Sequence, residues 1–119
     1  MSEILVKRVY EAPAASDGYR LLVDRLWPRG LTREKAAVDQ WLKDVSPSNE
    51  LRRLFHHDAT RWDAFRASYF AELGARPAAV AQLGAVLKKH RAVTFLYAAR
   101  DARFNNAAAL KEFVELNDL

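Results

Sequence analysis

The segment Val93-Thr94-Phe95-Leu96-Tyr97 decides the fold. It is rich in β-branched and aromatic residues, and its mostly apolar run is typical of a strand that is covered on both faces. A helical pattern precedes it at residues 77–91, and another follows at about residues 105–116. A helix, a buried strand and a second helix in succession predict an α/β domain with a parallel sheet.

Three other segments complete the predicted sheet. Residues 19–27 have an apolar centre without strict alternation, residues 4–9 favour a strand, and residues 38–43 alternate between two faces. The sequence shows neither repeats nor an interdomain linker. We therefore predict one domain over residues 1–119, with a three-layer α/β fold in which helices flank a mainly parallel sheet.

Turn and capping residues predict where the elements end. The string Trp27-Pro28-Arg29-Gly30 has the proline and glycine positions of a type I turn. Thr32 and Asp58 are expected to cap helices. Ser46 followed by Pro47 is typical of an N-cap with proline at the first helical position.

The composition bounds the chemistry. With 119 residues, 50% of them hydrophobic and 29% charged, the chain is typical of a globular domain that needs no metal or disulfide for stability. The absence of cysteine excludes thiol nucleophiles and cysteine metal sites. No apolar stretch approaches the roughly 20 residues of a membrane span, and residues 1–10 lack the apolar run of a signal peptide. We therefore expect a cytoplasmic protein without a membrane partner.

Charged and polar side chains follow three of the predicted strands. Because the carboxyl ends of parallel strands meet at one edge of a sheet, where α/β proteins bind their ligands, we expect these side chains to converge. The set consists of Asp24, Arg25, Trp27 and Arg29 after one strand, Lys43 and Asp44 after another, and Arg100, Asp101, Asn105 and Asn106 after the last.

Guanidinium groups bind phosphate or carboxylate through two parallel hydrogen bonds, and a helix N-terminus adds N–H donors. The net charge of +4 fits an anionic partner, although it also fits general solubility. An indole, Trp27 or else Trp41, could stack on a planar ligand. The predicted ligand contacts are Arg25, Trp27, Arg29, Lys43, Arg100, Asn105 and Asn106.

Structural roles are open alternatives for the same residues. Asp24 and Asp101 are acid/base candidates if the protein is an enzyme, but they could instead form ordinary ion pairs with the neighbouring Arg25 and Arg100. The two tryptophans could be core residues, and the two asparagines could be helix caps.

Other catalytic and metal sites are disfavoured. His56, His57 and Asp58 are consecutive, so on a helix they point about 100° apart, and no third strong ligand lies nearby. There is no Gly-x-Ser-x-Gly elbow and no glycine-rich phosphate loop. We expect neither a metal nor a cofactor.

Three strings carry a family resemblance: Asp17-Gly18-Tyr19-Arg20, then Asp24-Arg25-Leu26-Trp27-Pro28-Arg29-Gly30, and Leu96-Tyr97-Ala98-Ala99-Arg100-Asp101 with Asn105-Asn106-Ala107. With Trp41-Leu42-Lys43-Asp44, they make the chain similar to the YeaO-like family of small bacterial proteins from about residue 6 to residue 114. The resemblance implies a domain of unknown function and implies no reaction. Many similar sequences carry histidine where this chain has Phe104, so a mechanism that depends on that imidazole is disfavoured.

Four functions remain open. The first is a binding module for a small anionic ligand, such as a nucleotide or a phosphate-bearing metabolite. The second is an enzyme on such a substrate, and whether the protein is an enzyme is uncertain. The third is nucleic-acid binding or processing, with a basic surface that adds Arg52, Arg53, Arg61, Arg66 and residues 88–91. The fourth is a protein partner, and the sequence leaves the oligomeric state open.

Overall fold

A computed structural model describes residues 2–56 and 58–119. The strands of this part of the chain are β1 Glu3–Arg8, β2 Tyr19–Leu22, β3 Gln40–Trp41 and β4 Ala92–Tyr97. They form one parallel sheet in the order β1-β4-β2-β3. β4 therefore lies between two strands, which explains why its sequence is the most continuously apolar.

Five α-helices connect or cover these strands. They are α1 Arg33–Ala36, α2 Asn49–Phe55, α3 Trp62–Gly74, α4 Pro77–Lys89 and α5 Asn106–Leu116. Short 3-10 turns occupy Ala15–Asp17, Lys43–Val45 and Ala59–Arg61. Among the described residues, no helix is both long and apolar enough to cross a membrane.

The two faces of the sheet bury different cores. Leu21 and Phe95 pack on the larger core, which contains the buried side chains of α2, α3, α4 and α5. Their neighbours Leu22 and Leu96 point to the other face, because successive strand residues alternate. That second core is small and is covered by α1 and the loop around Trp27. The three-layer α/β prediction is confirmed, with one thick and one thin helical layer.

A buried ion cluster joins α1 to β2. Nη1 of Arg20 lies 2.5 Å from Oδ2 of Asp17, and Nζ of Lys7 lies 3.2 Å from the same oxygen. Arg20 also donates to the carbonyl oxygens of Ala36 and Ala37, each at 2.9 Å. Burial alone would raise the pKa of Asp17, but hydrogen bonds from Ala14, Lys7 and Arg20 outweigh it and lower that pKa.

Gly18 stands between this cluster and β2 and must be a glycine. Its φ is +63°, and a Cβ there would lie 2.3 Å from the carbonyl oxygen of Ala92. The Asp17-Gly18-Tyr19-Arg20 string is thus explained by a close backbone approach and a buried ion pair, both of which hold the sheet together.

Three local predictions are corrected by the structure. The strand expected at residues 38–43 is limited to Gln40–Trp41, because the chain turns into a 3-10 segment at Lys43. The strand expected at residues 19–27 ends at Leu22. Ser46 does not cap α2, because it is fully buried and its hydroxyl donates to the carbonyl of Lys43 at 2.5 Å. Ser48 caps the helix instead, since its side chain accepts the N–H of Leu51.

The turn after Trp27 also differs from the prediction. The N–H of Leu31 donates to the carbonyl of Pro28 at 3.4 Å, so the turn begins one residue later than expected. Gly30 occupies its third position with a φ of +81°, which type II turns require and type I turns do not. Thr32 caps α1 as predicted, and Asp58 caps the 3-10 turn that leads into α3.

Candidate functional site

The carboxyl ends of β2 and β4 meet the N-terminus of α5 at one edge of the sheet. Oδ2 of Asp24 accepts the N–H of Ala98 at 2.9 Å. Nδ2 of Asn106 donates to the carbonyl of Val23 at 3.1 Å, and its side chain also hydrogen bonds Asp24. These contacts tie three elements together around one carboxylate.

Burial raises the pKa of Asp24 above its ordinary value. The hydrogen bonds from Ala98 and Asn106 and the positive charge of Arg52 act in the opposite direction without cancelling the effect of burial. Asp24 is therefore a carboxyl group that ionises less readily than a free aspartate, at the sheet edge where α/β proteins bind ligands.

The cations that follow the strands remain free of carboxylates. Nε of Arg25 donates to the carbonyl of Pro47 at 3.2 Å, and Nζ of Lys43 lies 4.2 Å from the ring centroid of Trp41. The exposed guanidinium groups of Arg29 and Arg100 make no hydrogen bond or ion pair within residues 2–56 and 58–119.

Some cations elsewhere in the described residues are ion-paired, whereas others, such as Arg53 and Lys111, are not. Arg66 forms an ion pair with Glu112, Arg61 lies 3.5 Å from Asp58, and Arg76 lies 3.5 Å from Glu72. The ordinary ion pairs Asp24–Arg25 and Arg100–Asp101, which the sequence left open, are not formed in the described structure. The four cations of the carboxyl edge share this lack of an acidic partner with many other cations of the described residues; what distinguishes them is their position after three adjacent strands.

Trp27 and Trp41 pack on the thin helical layer. Their ring centroids lie 5.4 Å apart at 64°, and both rings border the smaller core. The indole N–H of Trp27 donates to the carbonyl of Leu31, and that of Trp41 to the carbonyl of Asp24, each at 2.7 Å. Both indoles thus have a structural role that accounts for their N–H groups.

Asp101 and Asn105 shape the turn that enters α5. Oδ1 of Asp101 accepts the N–H groups of Arg103 and Phe104 at 2.9 and 3.0 Å. Asn105 is buried; its Oδ1 accepts from Ala108 N at 2.8 Å, and its Nδ2 donates to the carbonyl of Asp101 at 3.0 Å. The side chain of Asn105 therefore caps α5, whereas the side chain of Asn106 hydrogen bonds the residues that follow β2.

Comparison of the sequence with known proteins assigns the chain to a family. Residues 3–118 match the family model described as the inactive DUF488-N3 subclade. The chain belongs to this subclade. It is 41% identical over 111 residues to the uncharacterized protein YeaO of Escherichia coli (strain K12), covering 93% of this chain and 96% of that one. It is also 40% identical over 113 residues to the uncharacterized protein Rv3073c of Mycobacterium tuberculosis (strain ATCC 25618 / H37Rv), covering 95% and 94%. No solved structure matches the chain.

Membership of the inactive DUF488-N3 subclade, together with the similarity to YeaO, confirms the YeaO-like resemblance. These relatives are named as uncharacterized proteins, and their names state no activity. The chemistry of the carboxyl edge therefore has to be argued from its own residues.

Two features of this edge cannot be predicted from the sequence. The sequence places Arg52 only in a general basic surface, yet in the structure its positive charge lowers the pKa of Asp24. Phe104 is in sequence only a departure from histidine, yet its ring packs on Trp62 with centroids 5.3 Å apart. Nothing in the spacing signals either contact, because each depends on how α2 and α3 are placed against the turn before α5.

Among the described residues, no metal-binding cluster marks the edge, and the two best-formed grooves lie elsewhere. Within residues 2–56 and 58–119 no group of three histidine or acidic side chains is placed to hold a metal ion. Of the trio considered from the sequence, His57 lies outside the described residues, and Asp58 accepts from Thr60 N at 3.0 Å. Two grooves, of about 590 and 250 Å³, are lined by residues of α3–α5 and of α2–α3 instead.

Proposed function

We propose that this protein binds a small anionic ligand, a nucleotide or another phosphate-bearing metabolite, at the carboxyl edge of the sheet. One observation carries the proposal: four cations without a carboxylate partner among the described residues follow three adjacent parallel strands, namely Arg25, Arg29, Lys43 and Arg100. Positive groups without an acidic partner on loops that follow adjacent parallel strands attract an anion from solution.

The chemistry of these groups suits phosphate. Within residues 2–56 and 58–119, Arg29 and Arg100 use none of their guanidinium N–H donors, and Arg25 uses only its Nε. A guanidinium group binds two phosphate oxygens at once through parallel hydrogen bonds. The N-terminus of α5, held at the same edge by Asn106, adds the positive end of a helix dipole.

The family description supports binding over catalysis. The matching model is described as an inactive subclade, and the edge supplies no cysteine or elbow serine that would act as a nucleophile. In a binding module, Asp24 holds the strand ends and faces the ligand, without transferring a proton to it.

An enzyme is the second candidate, and one specific observation favours it. Burial raises the pKa of Asp24, which brings a carboxyl group closer to the range where it exchanges protons near neutral pH. Asp101 is a weaker acid/base candidate, since its Oδ1 already accepts two backbone N–H groups of the turn. A phosphorylated or nucleotide substrate held by the same arginines would then meet Asp24.

Nucleic-acid binding has less support, because the basic groups lie at opposite edges. Lys88 and Lys89 end α4, three residues before β4 begins, so they lie at the amino edge of the sheet. Arg100 follows the end of β4 at the carboxyl edge. A nucleic-acid backbone requires a continuous row of cations, which this arrangement does not supply.

The test is a thermal-shift series with inorganic phosphate, sugar phosphates, nucleotides, short oligonucleotides and carboxylates. A ligand at a hundredfold excess over its dissociation constant stabilises the folded state by about 2.7 kcal/mol. We expect a phosphate-bearing ligand to raise the melting temperature of the wild type but not of Arg29→Gln/Arg100→Gln, whose exposed side chains leave folding intact. Lys88→Gln/Lys89→Gln is the matched control.

Two results would count against the anion site. The first is the absence of a shift with every anion, and the second is an equal loss of the shift in both double variants. Incubating a bound ligand with wild type and with Asp24→Asn then separates the two candidates, because only an enzyme forms product in an Asp24-dependent manner.

A further inference from the structure

An aromatic wall borders the carboxyl edge on the side of the thick helical layer. The ring of Phe104 packs on Trp62 with centroids 5.3 Å apart, and Trp62 packs on Phe55 at 5.7 Å. Phe104 and Trp62 are both partly exposed, so this wall is not closed over by the core. Phe104 comes two residues before Asn106, the side chain that hydrogen bonds Asp24.

An exposed arginine, Arg103, lies over the ring of Phe104. The guanidinium carbon of Arg103 lies 5.2 Å from the ring centroid of Phe104. A guanidinium group is planar and stacks on aromatic faces. The pair Phe104–Arg103 therefore presents two planar groups at the surface, and either of them can stack on a flat ring.

A cation and a carboxylate, Arg52 and Asp24, belong to the same region of the carboxyl edge. Arg52 lies one helical turn before Phe55 on α2, and it is close enough to Asp24 to lower its pKa. The turn that carries Phe104 leads directly into Asn106, whose side chain hydrogen bonds Asp24 and the carbonyl of Val23, so this turn connects the aromatic pair to the carboxylate. An acceptor, a cation and an aromatic face are the three groups that bind the sugar, phosphate and base of a nucleotide.

On the basis of the anion site proposed above, we infer that its ligand is a nucleotide whose base stacks on Phe104 beside Trp62. Arg103 moves to the outer face of the base, so that the base lies between a phenyl ring and a guanidinium group. Arg52 and the unpaired cations of the edge bind the phosphate. This stacking surface lies on the opposite face of the sheet from Trp27 and Trp41, which border the smaller core and which the sequence suggested as stacking residues.

The experiment compares three ligands that differ by one part each: AMP, ribose 5-phosphate and inorganic phosphate. Their dissociation constants are measured by calorimetry on the wild type and on Phe104→Leu, which keeps an apolar side chain against Trp62 but removes the ring. Because stacking of one base on an aromatic side chain is worth ~1–3 kcal/mol, AMP should bind the wild type at least about fivefold more tightly than ribose 5-phosphate. In Phe104→Leu this ratio should fall to about one, with the affinity for ribose 5-phosphate unchanged.

A second variant keeps the test decisive if Phe104→Leu does not fold. Arg103→Leu changes an exposed side chain and leaves Phe104 in place. It should lower the ratio of AMP to ribose 5-phosphate affinities by about twofold or more, while the melting temperature of the free protein stays within about a degree of the wild type.

The outcomes separate this inference from the anion site itself. Equal affinities of AMP and ribose 5-phosphate in the wild type, or a preference for AMP that survives in Phe104→Leu, would overturn the stacking role and leave the anion site standing. Failure of all three ligands to bind would overturn both. A ratio that falls in the variants while phosphate affinity is kept supports both.

Discussion

Asp24 and Asn106 together replace the last rung of the ladder between β2 and β4. The N–H of Val23 donates to the carbonyl of Leu96 at 3.2 Å, so in a continuing parallel ladder the N–H of Ala98 would donate to the carbonyl of Val23. Instead the carboxylate of Asp24 accepts from Ala98, and the amide of Asn106 donates to Val23.

Because side chains take the place of this backbone hydrogen bond, the two strands can separate at the carboxyl edge. The two strands separate after Val23, and the polar groups that they would have paired with each other are satisfied by one carboxylate and one amide. A half-buried carboxyl group is thereby kept at the point where the strands part, which is where ligands of parallel sheets bind.

Replacing Asp24 by asparagine should change how stability depends on pH. The folded pKa of Asp24 is raised above the ordinary value of 3.8, so between these two values the folded state binds more protons than the unfolded state. The wild type therefore loses stability as the pH rises through this window. Asp24→Asn keeps an oxygen acceptor for Ala98 and does not ionise, so its stability should be flatter with pH and should exceed that of the wild type above the window.

Urea denaturation of both proteins at a series of pH values checks this expectation. Asp44→Asn, at an exposed aspartate, is the control and should follow the wild-type profile. A parallel loss of stability in Asp24→Asn and wild type as the pH rises would show that Asp24 is not the group responsible.

The Asp17–Arg20 pair should behave in the opposite way. The pKa of Asp17 is lowered in the folded state, so its contribution is present above the ordinary value of 3.8 and is lost as the pH falls through the folded pKa. Asp17→Asn leaves the buried guanidinium of Arg20 without its anion, and breaking a buried pair from one side costs about 3 kcal/mol or more.

Chemical denaturation at neutral pH measures that cost directly. The exposed Asp63→Asn should stay within about 0.5 kcal/mol of the wild type. If Asp17→Asn were no less stable than Asp63→Asn, the buried pair would not be a determinant of the fold.

Replacing glycine by alanine should have opposite effects on the stability of the protein at Gly18 and at Gly84. Gly18→Ala would place a Cβ 2.3 Å from the carbonyl of Ala92 at a φ of +63°, so we expect a loss of at least about 2 kcal/mol. Gly84 lies within α4 with no atom near its added Cβ, so Gly84→Ala should stabilise the protein by about 1 kcal/mol through helix propensity. The melting temperatures of the two variants test both expectations. Equal changes in melting temperature would contradict the close backbone approach at Gly18.

The strand β4 and the helix α5 that follows it could be predicted, because their sequence patterns are long and depend only on neighbouring residues. The apolar run of β4 and the Asn105 cap of α5 need no knowledge of the rest of the chain. The two-residue strand β3 could not be bounded in this way, since its length is set by where the chain turns at Lys43. Ser46 and Ser48 present equivalent capping chemistry, and burial of Ser46 decides between them.

The site could be predicted in part for the same reason. Asp24 and Asn106 follow from the rule that polar residues after parallel strands meet at one edge, and the structure brings them together. The roles of Arg52 and Phe104 depend on packing between elements that are far apart in sequence. The sequence alone indicates only a surface charge at Arg52 and a departure from histidine at Phe104, because the placement of α2 against the carboxyl edge is a tertiary property.

Arg52 offers the sharpest test of the electrostatics at this edge, because its neighbour Arg53 supplies a matched control. Both side chains are exposed on α2, but only Arg52 is close enough to Asp24 to lower its pKa. Removing that charge in Arg52→Gln should raise the pKa of Asp24 further, since a nearby cation favours the ionised carboxylate. Arg53→Gln should leave it where it is.

A carboxyl-detected NMR titration of Asp24 in the two variants measures the effect, and calorimetry with inorganic phosphate measures its consequence. An exposed charge next to the site is worth up to ~1 kcal/mol, so Arg52→Gln should weaken phosphate binding by about two- to fivefold and Arg53→Gln by less. The two effects have one cause: the same guanidinium that stabilises the ionised Asp24 attracts the anion. A rise in the pKa of Asp24 without a loss of phosphate affinity would place Arg52 beside the carboxylate but outside the anion site.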